Sequence, residues 1–152
     1  MIILGITGTR AGPRPAQTAA ALKFMRGLKP YRVVHGGAPG FDMIAHGIAE
    51  TLRVREVEIH PSTQSNMGAA GVIPGAGVVI YPELPPLERD RVIVKRIYGL
   101  LACPKTDDEE LRSGTWATVR YAREAGVPVY IIRQDGQIVP DKTTFERWIA
   151  PL

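Results

Sequence analysis

Three glycine-bearing stretches of this chain each follow an apolar run and lead into a helical pattern. They are "GITGTRAGPR" at 5–14, "HGGAPGFD" at 35–42 and "CPKTDDEELRSGTW" at 103–116. Glycine lets a phosphate oxygen approach the backbone, and a helix N-terminus offers free N–H donors and the positive end of its dipole. One such stretch reads as a tight strand-to-helix turn. Three of them, with Arg10 and Ser113 alongside, point to a phosphate site. The expected contacts are Gly8, Thr9 and Arg10, then Gly36, Gly37, Ala38 and Gly40, then Ser113, Gly114 and Thr115. Neither of the first two stretches has the G-x-G-x-x-G spacing, which argues against a conventional NAD site.

Asp42 does not suit a phosphate by itself. A carboxylate in the first turn of a helix interacts well with the dipole but repels an anion. It suits a ribose hydroxyl or a neighbouring arginine. In "LERDRVIVKRI" the cations Arg89, Arg91, Lys95 and Arg96 lie in or beside one helix. Arg89, at its start, is expected to face the ligand, while Lys95 or Arg96 reads as part of a solvated basic face. Asp42 and Arg89 are the two candidate catalytic residues. His35 and His46 have no further ligand at a metal-binding spacing, so no metal is assigned, and no cofactor is expected. Cys103 reads as a buried strand-end residue.

The elements that must hold these residues alternate. "MIILGIT" reads as a buried strand, and "AQTAAALKFMRGL" as a helix with Ala16, Ala20, Phe24 and Leu28 on one stripe. "YRVVHGG" is a second strand. The helix after it has an apolar face of Ile44, Ala45, Ile48, Ala49 and Leu52. "REVEIH" is a third strand, 86–97 a helix, "YGLLAC" a strand, 113–125 a helix closed by Gly126, and "VPVYII" a strand. Asp135-Gly136 signals a hairpin, and "TTFE" at 143–146 caps a short final helix carrying Trp148. This order predicts a Rossmann-like, doubly wound parallel sheet in three layers, α/β/α, with a C-terminal hairpin and short helix. Ligands of such sheets sit at the carboxyl ends of the strands, near a topological switch point. The glycine-bearing strand ends should therefore share one crevice.

From Pro61 to Pro82 there is no charged side chain. This segment reads either as a long functional loop or as a hidden strand near "GVVIY" between two ordinary loops. Its Val72, Ile73, Val78, Val79 and Ile80, if exposed, would form a patch for a partner to cover.

The bulk composition sets wider bounds. A chain of 152 residues, 45% hydrophobic and 22% charged, fits one globular domain over 1–152. No apolar run is long enough to span a membrane, and the N-terminus reads as a strand rather than a signal peptide. A lone cysteine excludes an internal disulfide and fits a cytoplasmic setting. The net charge of +4 permits an anionic partner, either a nucleotide or a nucleic acid.

Taken together, these motifs resemble the SMF/LOG (SLOG) superfamily of Rossmann-like proteins. The resemblance runs from "GITGTR" to "GVPVYII". Gly40-Phe41-Asp42-Met43-Ile44-Ala45-His46 is similar to the G-x-D-x-x-A-H of the DNA-processing protein A (Smf) core. Arg89-Asp90-Arg91 is similar to its R-N-R, and Ser113-Gly114 with Thr118 to its S-G-x-x-x-T. Arg89, fifteen residues before Pro104, also resembles the arginine of the Lonely Guy phosphoribohydrolases, whose strand ends in P-G-G-x-G-T-x-x-E. Gly114-Thr115 resemble that G-T. The Gly-Gly is replaced by "KTDDEELRS", and the place of the glutamate is taken by Thr118. Small stand-alone YspA-type members, with "GGAxGxD" and "RN" or "RD" motifs, are more similar still.

The resemblance implies a nucleotide or nucleotide-derived phosphate ligand, with Thr118 added to the contacts. It also implies N-glycosidic cleavage of a nucleoside monophosphate if the protein is an enzyme. The glutamate implicated in that chemistry is absent. The alternatives are a nonenzymatic single-stranded DNA binder or a nucleotide-ligand sensor. The DNA branch is disfavoured by the lack of an aromatic-rich basic surface. The Lonely Guy branch further implies a homodimer or higher homo-oligomer, and nothing implies a membrane partner.

Overall fold

The computed structural model describes residues 1–64, 72 and 74–144. Among these, the chain forms β1 (Ile3–Gly8), α1 (Pro15–Leu28), β2 (Arg32–His35), α2 (Phe41–Thr51), β3 (Glu56–Ile59) and β4 (Val78–Ile80). It continues with α3 (Pro86–Lys95), β5 (Gly99–Cys103), α4 (Gly114–Glu124), β6 (Val129–Ile132) and β7 (Ile138–Pro140). The sheet order is β4-β3-β2-β1-β5-β6-β7. All neighbouring strands are parallel except β6 and β7, which pair antiparallel around the Asp135-Gly136 turn. This is the expected Rossmann-like α/β architecture with its C-terminal hairpin. The expected final helix with Trp148 lies outside the described residues. Among the described residues, no helix is long and apolar enough to cross a membrane.

Side chains alternate across the strands and build two cores. Leu4, Ile6, Val33, Val57, Ile59, Leu101 and Tyr130 face α1 and α2. Val34, Leu100, Ala102, Val129 and Ile131 face α3 and α4. A parallel sheet covered on both faces has to be apolar on both, and β5 and β6 are buried along their whole length. Cys103, the last residue of β5, is fully buried, and its burial pushes the thiol up to about 12.

Two expectations need adjustment. The buried face of α1 is Gln17, Ala21, Phe24, Met25 and Leu28, while Ala16 is exposed and Ala20 half-buried. Alanines carry little information about which way a helix turns. The larger Phe24, Met25 and Leu28 fix the face, and Gln17 turns inward to donate from Nε2 to the Ile132 carbonyl at 3.3 Å. The hidden strand near "GVVIY" exists as β4, in register with β3 from Val57↔Val78 to Ile59↔Ile80. Val78 and Ile80 pack on the core and Val79 stays half-exposed, so the sheet absorbs much of that segment's apolar side chains. Ile73 lies outside the described residues.

The chain winds outward from β1 to β4 and then crosses back through α3 to β5. The switch point therefore falls between β1 and β5, whose ends are in register at Gly8↔Cys103.

Candidate functional site

Beyond the carboxyl ends of β1 and β5 lies a crevice of about 480 Å³. Its walls come from four places: 7–11 at the end of β1 and just beyond, Ala38 and Asp42 around the start of α2, Pro86, Leu87, Arg89 and Asp90 in α3, and Lys105, Glu110 and 112–115 before and within α4. Of the expected residues, Gly8, Thr9, Arg10, Ala38, Asp42, Arg89, Ser113, Gly114 and Thr115 line it. Gly36, Gly37, Gly40 and Thr118 do not.

The glycines of the first two turns allow close packing of protein on protein. A Cβ at Gly8 would sit 2.5 Å from Phe41, and one at Gly36 would overlap the Arg89 guanidinium. Gly40 has φ +86, and a Cβ there would collide with the Thr9 carbonyl. The N–H donors of the second turn are also occupied. Gly36 N–H and Ala38 N–H both donate to Asp42 Oδ2, at 3.1 and 3.2 Å. Gly37 N–H donates to His35 Nδ1 at 2.9 Å. The expectation that this turn offers its donors to an anion is corrected for Gly36, Gly37 and Ala38, whose N–H groups Asp42 and His35 already take. The third turn differs. Ser113 caps α4 by accepting Trp116 N–H at 3.2 Å, and a Cβ on Gly114 would meet nothing within 4 Å. The N-terminus of α4 opens on the crevice.

Asp42 is 5% exposed. Its Oδ2 holds the turn, while Oδ1 is buried without a hydrogen-bond partner among the described residues. Burial pushes the carboxyl up to about 6, against the pull of the Arg89 guanidinium and of the Ala38 and Gly36 N–H groups. A buried acceptor left unsatisfied costs about 1–3 kcal/mol, which makes it a ready seat for a hydroxyl donor.

Arg89 is a buried strut, not a solvated cation. Its Nη1 donates to the carbonyls of Gly36 and His60, each at 3.1 Å, and its Nε to Asp90 Oδ1 at 2.7 Å. Burial raises the Asp90 carboxyl, opposed by Arg89, by the Thr118 hydroxyl and by Arg10. Thr118 thus faces Asp90, and its own hydroxyl donates to the Gly114 carbonyl at 3.1 Å. Lys95 is exposed as expected. Arg96 is not a free surface cation: it grips Glu58 through Nε and Nη2, both at 2.6 Å.

His35 and His46 hold each other, Nε2 to Nδ1, at 3.0 Å. Because His35 Nδ1 accepts from Gly37, its proton sits on Nε2, and that nitrogen donates to His46. Burial pushes His35 down to about 3, so it is neutral here. The pair braces the turn that carries Asp42.

Sequence reasoning missed Lys105, Glu110 and Arg112 as crevice residues. The signal was present in the nine residues between Pro104 and Gly114, too many for a simple turn and rich in charge.

No family model matches the chain, and no curated protein matches it. Among solved structures, the crystal structure of TM1055, a structural genomics target, is similar with a TM-score of 0.64 at 18% identity. The match covers 90% of this chain and 76% of that one. It is a likeness of fold.

Proposed function

We propose that the crevice binds a nucleotide, with phosphate at the N-terminus of α4 and a ribose hydroxyl on Asp42 Oδ1. The observation that carries this is the unpaired, buried Oδ1 in a crevice that also holds an open helix N-terminus. The first asks for a hydroxyl donor and the second for an anion. Both lie at the switch point, where such sheets take their ligands. The resemblance of 40–46, 89–91 and 113–118 to the SLOG superfamily supports the same ligand class, and within it a small YspA-type protein. The matching reaction class is N-glycosidic hydrolysis. Water would replace the base at the ribose carbon, and the base would leave with a proton. Asp42, which lines the crevice with its carboxyl raised to about 6, is the acid nominated for that role. Single-stranded DNA is the weaker reading, because Asp42, Asp90 and Glu110 line the same crevice and oppose a polyanion.

Calorimetry with nucleoside 5′-phosphates tests this, alongside an oligothymidylate. The expected result is nucleotide binding that weakens about tenfold or more in Asp42→Asn, the loss of one charge-assisted hydrogen bond. Chromatography of the mixtures reads base release. Tight oligonucleotide binding with no nucleotide competition would overturn the proposal.

A further inference from the structure

We infer that the loop between β5 and α4 adapts the crevice to a nucleoside 5′-diphosphate in preference to a monophosphate. This rests on the nucleotide reading above and names the ligand class within it.

The loop sorts its charges. Two of its four acids are spent on the protein: Asp107 pairs with Arg133 at 3.3 Å and accepts Gln134 N–H at 2.9 Å. Glu109 pairs with Arg120 at 3.2 Å and Arg123 at 2.9 Å. Arg120 further ties down the Glu110 and Leu111 carbonyls, and the Gln134 amide donates to the Lys105 carbonyl. These contacts strap the loop to α4 and to the β6–β7 turn. The loop's two cations, Lys105 and Arg112, instead line the crevice. Arg10 lines it too. Among the described residues, none of these three forms an ion pair or a side-chain hydrogen bond.

Three unpaired cations gather where α4 opens. Arg89 and Asp90 hold each other, so the helix N-terminus and one cation meet one phosphate, and two cations remain for a second against the acids Asp42 and Glu110. The one opposing acid in the loop, Glu110, has its Oε1 engaged by the Thr106 hydroxyl at 2.6 Å. A second phosphate on the first supplies the missing charge. Asp42, whose buried Oδ1 is the proposed hydroxyl seat, lines the same crevice. Because the sites are partly exposed, the preference is electrostatic and sensitive to salt.

The test compares AMP with ADP by calorimetry, in EDTA so that magnesium does not mask the second phosphate. ADP is expected to bind about tenfold more tightly than AMP at low ionic strength, with the ratio shrinking as salt rises. The double variant Lys105→Ala/Arg112→Ala is expected to lose more affinity for ADP than for AMP, bringing the ratio below about three. Both side chains are exposed and unpaired, so the variant should fold, and circular dichroism checks this. Equal wild-type affinity for AMP and ADP would overturn the inference while leaving the nucleotide reading intact. An ADP preference untouched by the double variant would also overturn it. Failure of both nucleotides to bind would sink the nucleotide reading and this inference with it.

Discussion

Glu58 and Asp42 each expose only 5% of their surface, yet their carboxyls end on opposite sides of the ordinary range. Burial pushes both carboxyls up. At Glu58 it is overcome by Arg96, by His60 at 3.2 Å and by Arg32 at 3.5 Å, and the group ends below the ordinary range. At Asp42 burial wins, and the group ends near 6 with one oxygen unpaired. Around Glu58 the protein completes its own polar network. Arg96 reaches Tyr81 as well, and His60 stacks on that ring at 4.4 Å. Around Asp42 it leaves one acceptor open beside a crevice. A buried charge that is fully matched holds the fold together. One that is half matched costs stability and is retained where a ligand can complete it.

The largest expected effect breaks the matched side. Glu58→Ala leaves Arg96 and Arg32 without their shared partner and should destabilise the protein by about 3 kcal/mol, the lower end for breaking a buried pair, since Arg96 is partly exposed. Urea unfolding measures it. A loss under about 1 kcal/mol would mean that the cluster is ornamental and the contrast with Asp42 empty.

The next effect runs the other way. Asp42→Asn keeps an oxygen to accept from Gly36 and Ala38 and removes a buried charge held above its unfolded value. At pH 7 it should stabilise the protein by about 2 kcal/mol, since each tenfold rise in the carboxyl's proton affinity on folding is worth about 1.4 kcal/mol. The gain should disappear below pH 3.8, where the wild-type carboxyl is protonated in both states. Higher stability coupled with weaker nucleotide binding marks a seat built for a ligand. A destabilised Asp42→Asn would instead make Asp42 a structural brace like Glu58.

These two sites were unequally legible in the sequence. Asp42 announced itself as an acid in the first turn of a helix behind a glycine turn, and the local pattern placed it at a strand end. The gathering of 8–10 and 113–115 in one crevice followed from strand order alone. Glu58 sat unnoticed in "REVEIH", because its partner Arg96 is 38 residues away and nothing local pairs them. The occupancy of donors was equally hidden. Gly36-Gly37-Ala38 has the composition of an anion nest, and only the fold shows that Asp42 and His35 fill it. The three-residue β4 was easy to lose in a long uncharged segment, since its strand character comes from pairing with β3.

The smallest expected effect sharpens the comparison most, because it comes from two opposing shifts. Asp42 is raised from 3.8 to about 6, so the folded protein binds its proton more tightly; this stability is complete below pH 3.8 and is lost as pH rises to about 6. His35, braced against the same turn, is lowered from 6.5 to about 3, so the unfolded chain binds its proton more tightly; this stability is complete above pH 6.5 and is lost as pH falls. Between about pH 4.5 and 6 the two slopes, each at most about 1.4 kcal/mol per pH unit, oppose one another. Glu58, lowered from its ordinary value of 4.5, adds to the rising side only at the acid end of this window. Asp90, also raised by burial, adds to the falling side, and His60, also lowered by burial, adds to the rising side. The wild-type protein should therefore show a nearly flat stability profile from about pH 4.5 to 6. Asp42→Asn should tilt it upward with pH. His35→Asn, whose side-chain oxygen can still accept the Gly37 N–H, should tilt it downward. Thermal unfolding across that range reads all three. A wild-type profile that rises steeply with pH would show that His35 acts unopposed, and that Asp42 is not held above its ordinary value by the site it lines.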